Sequence, residues 1–104
     1  DDAITMPLIA AGADGVISVV ANAFPDLFSQ MVAASMKGDL AQARALHYDL
    51  LHITKLFFTE GNPGGVKVAL KARGWMESHM RLPLVDVSES LKEKIIIETK
   101  KLIK

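Results

Sequence analysis

Hydrophobic positions in this chain recur mostly at three- and four-residue intervals, the spacing that places side chains on one face of a helix. The stretch "FPDLFSQMVAASMKG" carries Leu27, Met31 and Ala34 on one stripe, with Pro25 near its first turn and Gly38 as terminator. "DLAQARALHYDLLHITKLFF" opens at Asp39 and repeats Leu40, Ala43, Leu46, Leu50, Ile53 and Phe57 before the turn-rich "TEGNPGG". Asn62 and Pro63 read as N-cap and first residue of a shorter helix over 63–73, closed by Gly74. "SESLKEKIIIETKKLIK" starts a last helix at Ser88 or Ser90; Ser90 has Glu93 three residues on, as in a capping box. Lys100, Lys101 and Lys104 complement the C-terminal end of its dipole. At the other end, "DDAITMPLIAAG" predicts a helix starting near Thr5 and stopping at Gly12.

Two stretches break this rhythm. "RLPLVDV", residues 81–87, reads as extended, because Pro83 disfavours helix for the residue before it. "GVISVV", residues 15–20, is an uncharged run of valine and isoleucine that reads as a β-strand. Val16, Ile17, Val19 and Val20 point to both faces, the habit of a parallel strand covered on each side. A strand needs neighbours for its backbone N–H and C=O groups, and no other segment reads as one. One strand among helices is part of a βα repeat, so the chain reads as a piece of a larger α/β fold.

Composition sharpens this. Half of the 104 residues are hydrophobic and the mean hydropathy is +0.25, which is greasy for a short chain and points to burial against something else. Lys plus Arg and Asp plus Glu number 12 each, so net charge is zero and gives no argument for nucleic acid or an anionic membrane as partner. There is no cysteine, hence no disulfide or thiolate chemistry. No apolar run reaches the ~20 residues that span a bilayer, and the acidic start lacks a signal peptide's basic region. A cytoplasmic location is the expectation.

Candidate chemistry is sparse. His47 and His52 are five apart, the wrong spacing for two metal ligands on one helix face, and His79 stands alone. Lys55, Lys67 and Lys71 have polar neighbours and read as solvated, with Lys67 near Glu60. Gly64 and Gly65 lack a phosphate-loop context and read as a turn. No cofactor or metal motif is found.

Three blocks nevertheless carry a resemblance. "DDAITMPLIAAGADGVISVVAN", "EGNPGGVKVALKARG" and "RLPLVDV" together resemble the C-terminal part of the dihydrodipicolinate synthase (4-hydroxy-tetrahydrodipicolinate synthase) family, across essentially all 104 residues. Many members have a bulky residue and a second proline where this chain has Gly64 and Gly65, a change expected to loosen the first turn of that helix. The resemblance implies a (β/α)8 TIM barrel in the parent, with "GVISVV" as its eighth strand. Residues 1–37 would then end the barrel and residues 38–104 form a helical extension, so that this chain is mostly α-helical. It also implies a pyruvate-dependent lyase of lysine and diaminopimelate biosynthesis. A lysine forms a Schiff base with pyruvate, and the enamine adds to aspartate semialdehyde with a tyrosine relaying protons. Those lysine and tyrosine residues would lie on absent strands, so no catalytic residue is assigned here and the chain alone is expected to be inactive.

The family site maps onto Ile17, whose backbone would line the pyruvate pocket, and more weakly onto Asp1, near the second substrate. As plain structure, Ile17 is a core residue and Asp1 a helix-start carboxylate. An orphaned strand should pair with a copy of itself, swap between protomers or be rebuilt as part of a helix. The expected assembly is a homo-oligomer that buries residues 16–20, the parent being a tetramer or dimer. The alternatives are a self-standing helical interaction module derived from the barrel, or a piece of an N-acetylneuraminate lyase-like aldolase.

Overall fold

The computed structural model describes residues 1–103, so the expectation for Lys104 lies outside the described residues. A 3-10 turn, Asp2–Ile4, leads into α1 (Thr5–Ala10), α2 (Val20–Ala23), α3 (Pro25–Lys37), α4 (Leu40–Phe58), α5 (Gly64–Ala72) and α6 (Glu89–Leu102). The chain divides into two compact units, residues 1–54 and residues from Lys55 onward.

In the first unit α1 and α2 both pack on α3. The stripe of α3 is deeper than the periodicity suggests: Phe28, Met31, Ala34 and Ser35 are buried, and Phe24 just before the helix is fully so. Burying a phenylalanine or methionine side chain contributes about 1.5–3 kcal/mol. The helix stops where glycine can take a left-handed conformation, at Gly38 with φ 80°. In α4, Ala43, Leu50 and Ile53 are buried at the expected intervals.

The run at residues 15–20 departs from the strand expectation. Residues 13–18 carry no regular secondary structure, Val19 already has helical angles (φ −80°, ψ −45°), and Val20 begins α2. No described residue belongs to a β-ladder. The two-sided burial is corrected as well: Val20 is 0% exposed in the core, whereas Ile17 is 102% exposed. A strand exists only through its neighbours' hydrogen bonds, and these residues contain none to supply them.

In the second unit α5 packs on α6. The helix starts at Gly64, with Pro63 as N-cap and not as its first residue. Gly64 and Gly65 are both buried. They do not loosen the turn; they allow close approach. A Cβ on Gly65 would lie 2.7 Å from Cα and 2.8 Å from O of Phe57 in α4, and one on Gly64 would lie 2.8 Å from Val87 Cγ1. A backbone neighbour cannot move aside as a side chain can, so Gly65 is the stricter requirement. Residues 81–87 are irregular, and their first part turns instead of running extended: the Leu84 N–H donates to the Arg81 carbonyl at 3.1 Å. Leu82 (85%) and Val85 (74%) stand out from this loop.

Candidate functional site

The first two residues are both aspartates, and the fold separates their tasks. Asp1 Oδ1 accepts from the Ala3 N–H at 2.8 Å and caps the 3-10 turn. Its main-chain oxygen accepts from Thr5 Oγ1 at 2.9 Å. Asp2 is buried, at 7% exposure, and turns toward the run "GVISVV". Its Oδ1 accepts from the Ser18 hydroxyl, and its Oδ2 accepts from the Val19 N–H at 3.0 Å and the Val20 N–H at 3.5 Å. Ser18 Oγ in turn accepts from the Ala21 N–H at 2.9 Å. Asn22 Nδ2 donates to the main-chain oxygens of Val19, at 3.1 Å, and Ser18, at 3.4 Å.

These contacts satisfy the first N–H groups of α2, a helix of four residues and hardly more than one turn. Burying a carboxylate is costly unless donors surround it, and here an O–H and two N–H groups do so. Sequence spacing gives Asp2 no task distinct from that of Asp1. The adjacent pair of acids was the only trace of it, because the partners lie 16 to 18 residues further on.

Ile17 thus sits immediately before an anchored residue, with its own side chain fully exposed. Residues 1–36 contain no Lys, Arg, His or Tyr, so this region offers neither an amine for a Schiff base nor a phenol to relay protons. The structure brings Asp2 and Ser18 together with the end of this run, and gives Asp1 a local capping contact.

The remaining candidates fall into structural roles. His47 on α4 lies 5.5 Å from the Tyr48 ring at a 47° tilt, and burial holds its pKa below the ordinary 6.5. Lys67, in an exposed setting, donates its ammonium to the His79 carbonyl, while Glu60 takes Ser88 as its partner. Glu60 accepts from the Ser88 N–H at 2.9 Å and the Ser88 hydroxyl at 2.5 Å, which lowers its pKa from the ordinary 4.5. In the same unit a groove of about 440 Å³ is lined by Val68, Ala72, Ile96, Lys71, Lys92 and Lys100, with Ser78. Lys71 pairs with Glu77 at 3.0 Å, and Lys92 pairs with Glu89 at 3.2 Å and Asp86 at 3.3 Å. The hydrogen bonds that Lys92 donates to Glu89 and Asp86 raise its pKa, the opposite of what a nucleophilic amine needs. Among the described residues no group of three His, Cys, Asp or Glu could hold a metal ion. No described helix is long and apolar enough to cross a membrane.

Comparison with known proteins places this geometry. The model of the dihydrodipicolinate synthetase family matches residues 1–102. Over 104 residues the chain is 44% identical to the 4-hydroxy-tetrahydrodipicolinate synthase of Flavobacterium psychrophilum, covering 100% of this chain and 36% of that protein. The crystal structure of dihydrodipicolinate synthase from Thermotoga maritima superimposes with a TM-score of 0.94 at 39% identity, over 98% of this chain and 35% of that one. The chloride-inhibited enzyme from Acinetobacter baumannii, solved in complex with pyruvate, gives 0.92 at 34% identity, over 98% and 35%. The chain therefore spans about a third of the length of the relatives it matches.

Proposed function

This chain belongs to the dihydrodipicolinate synthetase family, and from that we propose that its residues form the closing part of a pyruvate-dependent lyase, a 4-hydroxy-tetrahydrodipicolinate synthase. In this reading residues 15–17, the part of the run ahead of the anchored Ser18 and α2, become the eighth strand of a (β/α)8 barrel once neighbouring strands flank them. Residues 1–37 end the barrel, and residues 38–104 form the helical extension. The observation that carries the proposal is the run itself: a valine- and isoleucine-rich stretch without ladder partners, whose Ile17 is 102% exposed. Such a residue gains most from burial, and parallel strands are covered on both faces.

The active site of such a barrel lies at the C-terminal ends of its strands. Pyruvate condenses with a lysine amine from another strand, releasing water and forming an imine. Loss of a methyl proton gives the enamine, whose carbon adds to the aldehyde of aspartate semialdehyde. The backbone of Ile17 lines the pyruvate pocket and orients the imine without a titrating side chain. That a relative was solved with pyruvate supports this substrate. Asp1 contributes less in this reading, since its carboxylate serves the Ala3 N–H.

The test is trapping with pyruvate and borohydride, read by intact mass. These 104 residues alone should show no adduct. A chimera of the Thermotoga maritima enzyme, with its matching third replaced by these residues, should gain one pyruvate per chain. An adduct on a lysine of the isolated chain, or none on the chimera, would overturn the proposal.

A further inference from the structure

Resting on the reading of Ile17 as part of the pyruvate pocket, we propose that Asp2 is a positioning residue of that pocket, acting through Ser18 on the Ile17 carbonyl. The Ile17 carbonyl belongs to the peptide unit that ends at the Ser18 nitrogen. Its direction is therefore set by how Ser18 is held. Ser18 is held at its side chain, where Oγ donates to Asp2 and accepts from the Ala21 N–H. It is held again through the next residue, whose N–H donates to the same carboxylate at 3.0 Å. Both aspartate oxygens are engaged, and the group is buried, so the arrangement resists the rotation that an exposed cap would allow.

Capping alone does not account for the choice of residue. Ser18 Oγ already serves the Ala21 N–H, as an N-cap serine does on its own in many helices. The added carboxylate comes from residue 2 and ties the end of the run to the start of the chain's first turn. What it adds is a fixed position for residues 17 and 18. A substrate held by a backbone carbonyl is sensitive to such placement, because displacement by about 1 Å can cost about a hundredfold in rate.

The experiment uses the active chimera described above, with steady-state kinetics and thermal unfolding measured on each variant. Asp2→Asn keeps the size but removes the charge and turns an amide toward groups that donate. It should raise KM for pyruvate about tenfold while KM for the semialdehyde stays within about twofold. Ser18→Ala should give an intermediate rise, and Ser18→Thr, which keeps the hydroxyl, should restore the parent value. Asp39→Ala is the control: Asp39 caps α4 by accepting the Gln42 N–H at 3.2 Å, far along the chain from the run. It should lower the melting temperature without moving KM. A fall in melting temperature with unchanged pyruvate KM in Asp2→Asn would reduce Asp2 to a structural cap and overturn the inference. Should Asp2→Asn fail to fold, Ser18→Ala decides by the same criterion. An unmodified chimera that traps no pyruvate would remove the underlying reading, and this inference with it.

Discussion

Two helices in this chain begin on a carboxylate brought from far away in sequence, and they do so in opposite settings. The start of α2 is served by Asp2, from 17 and 18 residues earlier, in a buried site. The start of α6 is served by Ser88, which accepts from the Leu91 N–H at 3.3 Å, and by Glu60, which accepts from the Ser88 N–H 28 residues on. In an ordinary capping box the second bond comes from a glutamate three residues into the same helix. Here that position is Leu91, and Glu60 takes over the task from outside. Glu60 is exposed, so water competes for every bond it makes. Asp2 has no such competitor. The same contacts therefore act as a rigid anchor in one unit and as an adjustable latch in the other.

Removing the buried anchor should have the largest effect. Asp2→Ala leaves the Val19 and Val20 N–H groups and the Ser18 hydroxyl without their acceptor, and should destabilise the first unit by about 3 kcal/mol, measured by urea unfolding. A loss no larger than that of an exposed cap would erase the contrast. Next comes Ser88→Ala, which removes one N-cap side chain from a 14-residue helix and should cost about 1 kcal/mol. The smallest effect should be confined to acid pH. Because the folded pKa of Glu60 lies below its ordinary 4.5, its contribution is present above that value and fades as pH falls through the folded pKa. Glu60→Gln should flatten that part of the stability profile, and added salt should change little at neutral pH. An unchanged acid limb would mean that the latch carries no linkage.

Much of the local structure was legible. Gly12, Gly38 and Gly74 end helical segments with positive φ, as their positions beyond the last apolar repeat suggested. Pro25 opens α3 for the reason that proline suits a first turn. Ser88 against Ser90 was undecided, and the box glutamate favoured the wrong serine, because the decisive carboxylate belongs to another loop. Asp1 takes the helix-start role expected of it, capping the 3-10 turn, while Asp2 reaches a partner that spacing does not reveal. A 3-10 turn has three residues per turn, so two adjacent acids point apart and only one can cap. The double glycine was read as slack, though Gly65 is what lets α5 lie against the Phe57 backbone.

Apart from α2, which it did not reveal, the pattern of side chains by itself determined where α1 and α3 to α6 run, about where they stop, and that residues 15–20 are too apolar to be left alone. Those are local matters, fixed by periodicity, backbone freedom and the cost of wetting valine and isoleucine. The tertiary structure alone decided which carboxylate holds that run, which serine begins α6, and that Ile17 stands bare while Val20 is buried. Each of these depends on groups many residues apart meeting at hydrogen-bond distance. That proximity is created by folding and leaves no mark on sequence spacing.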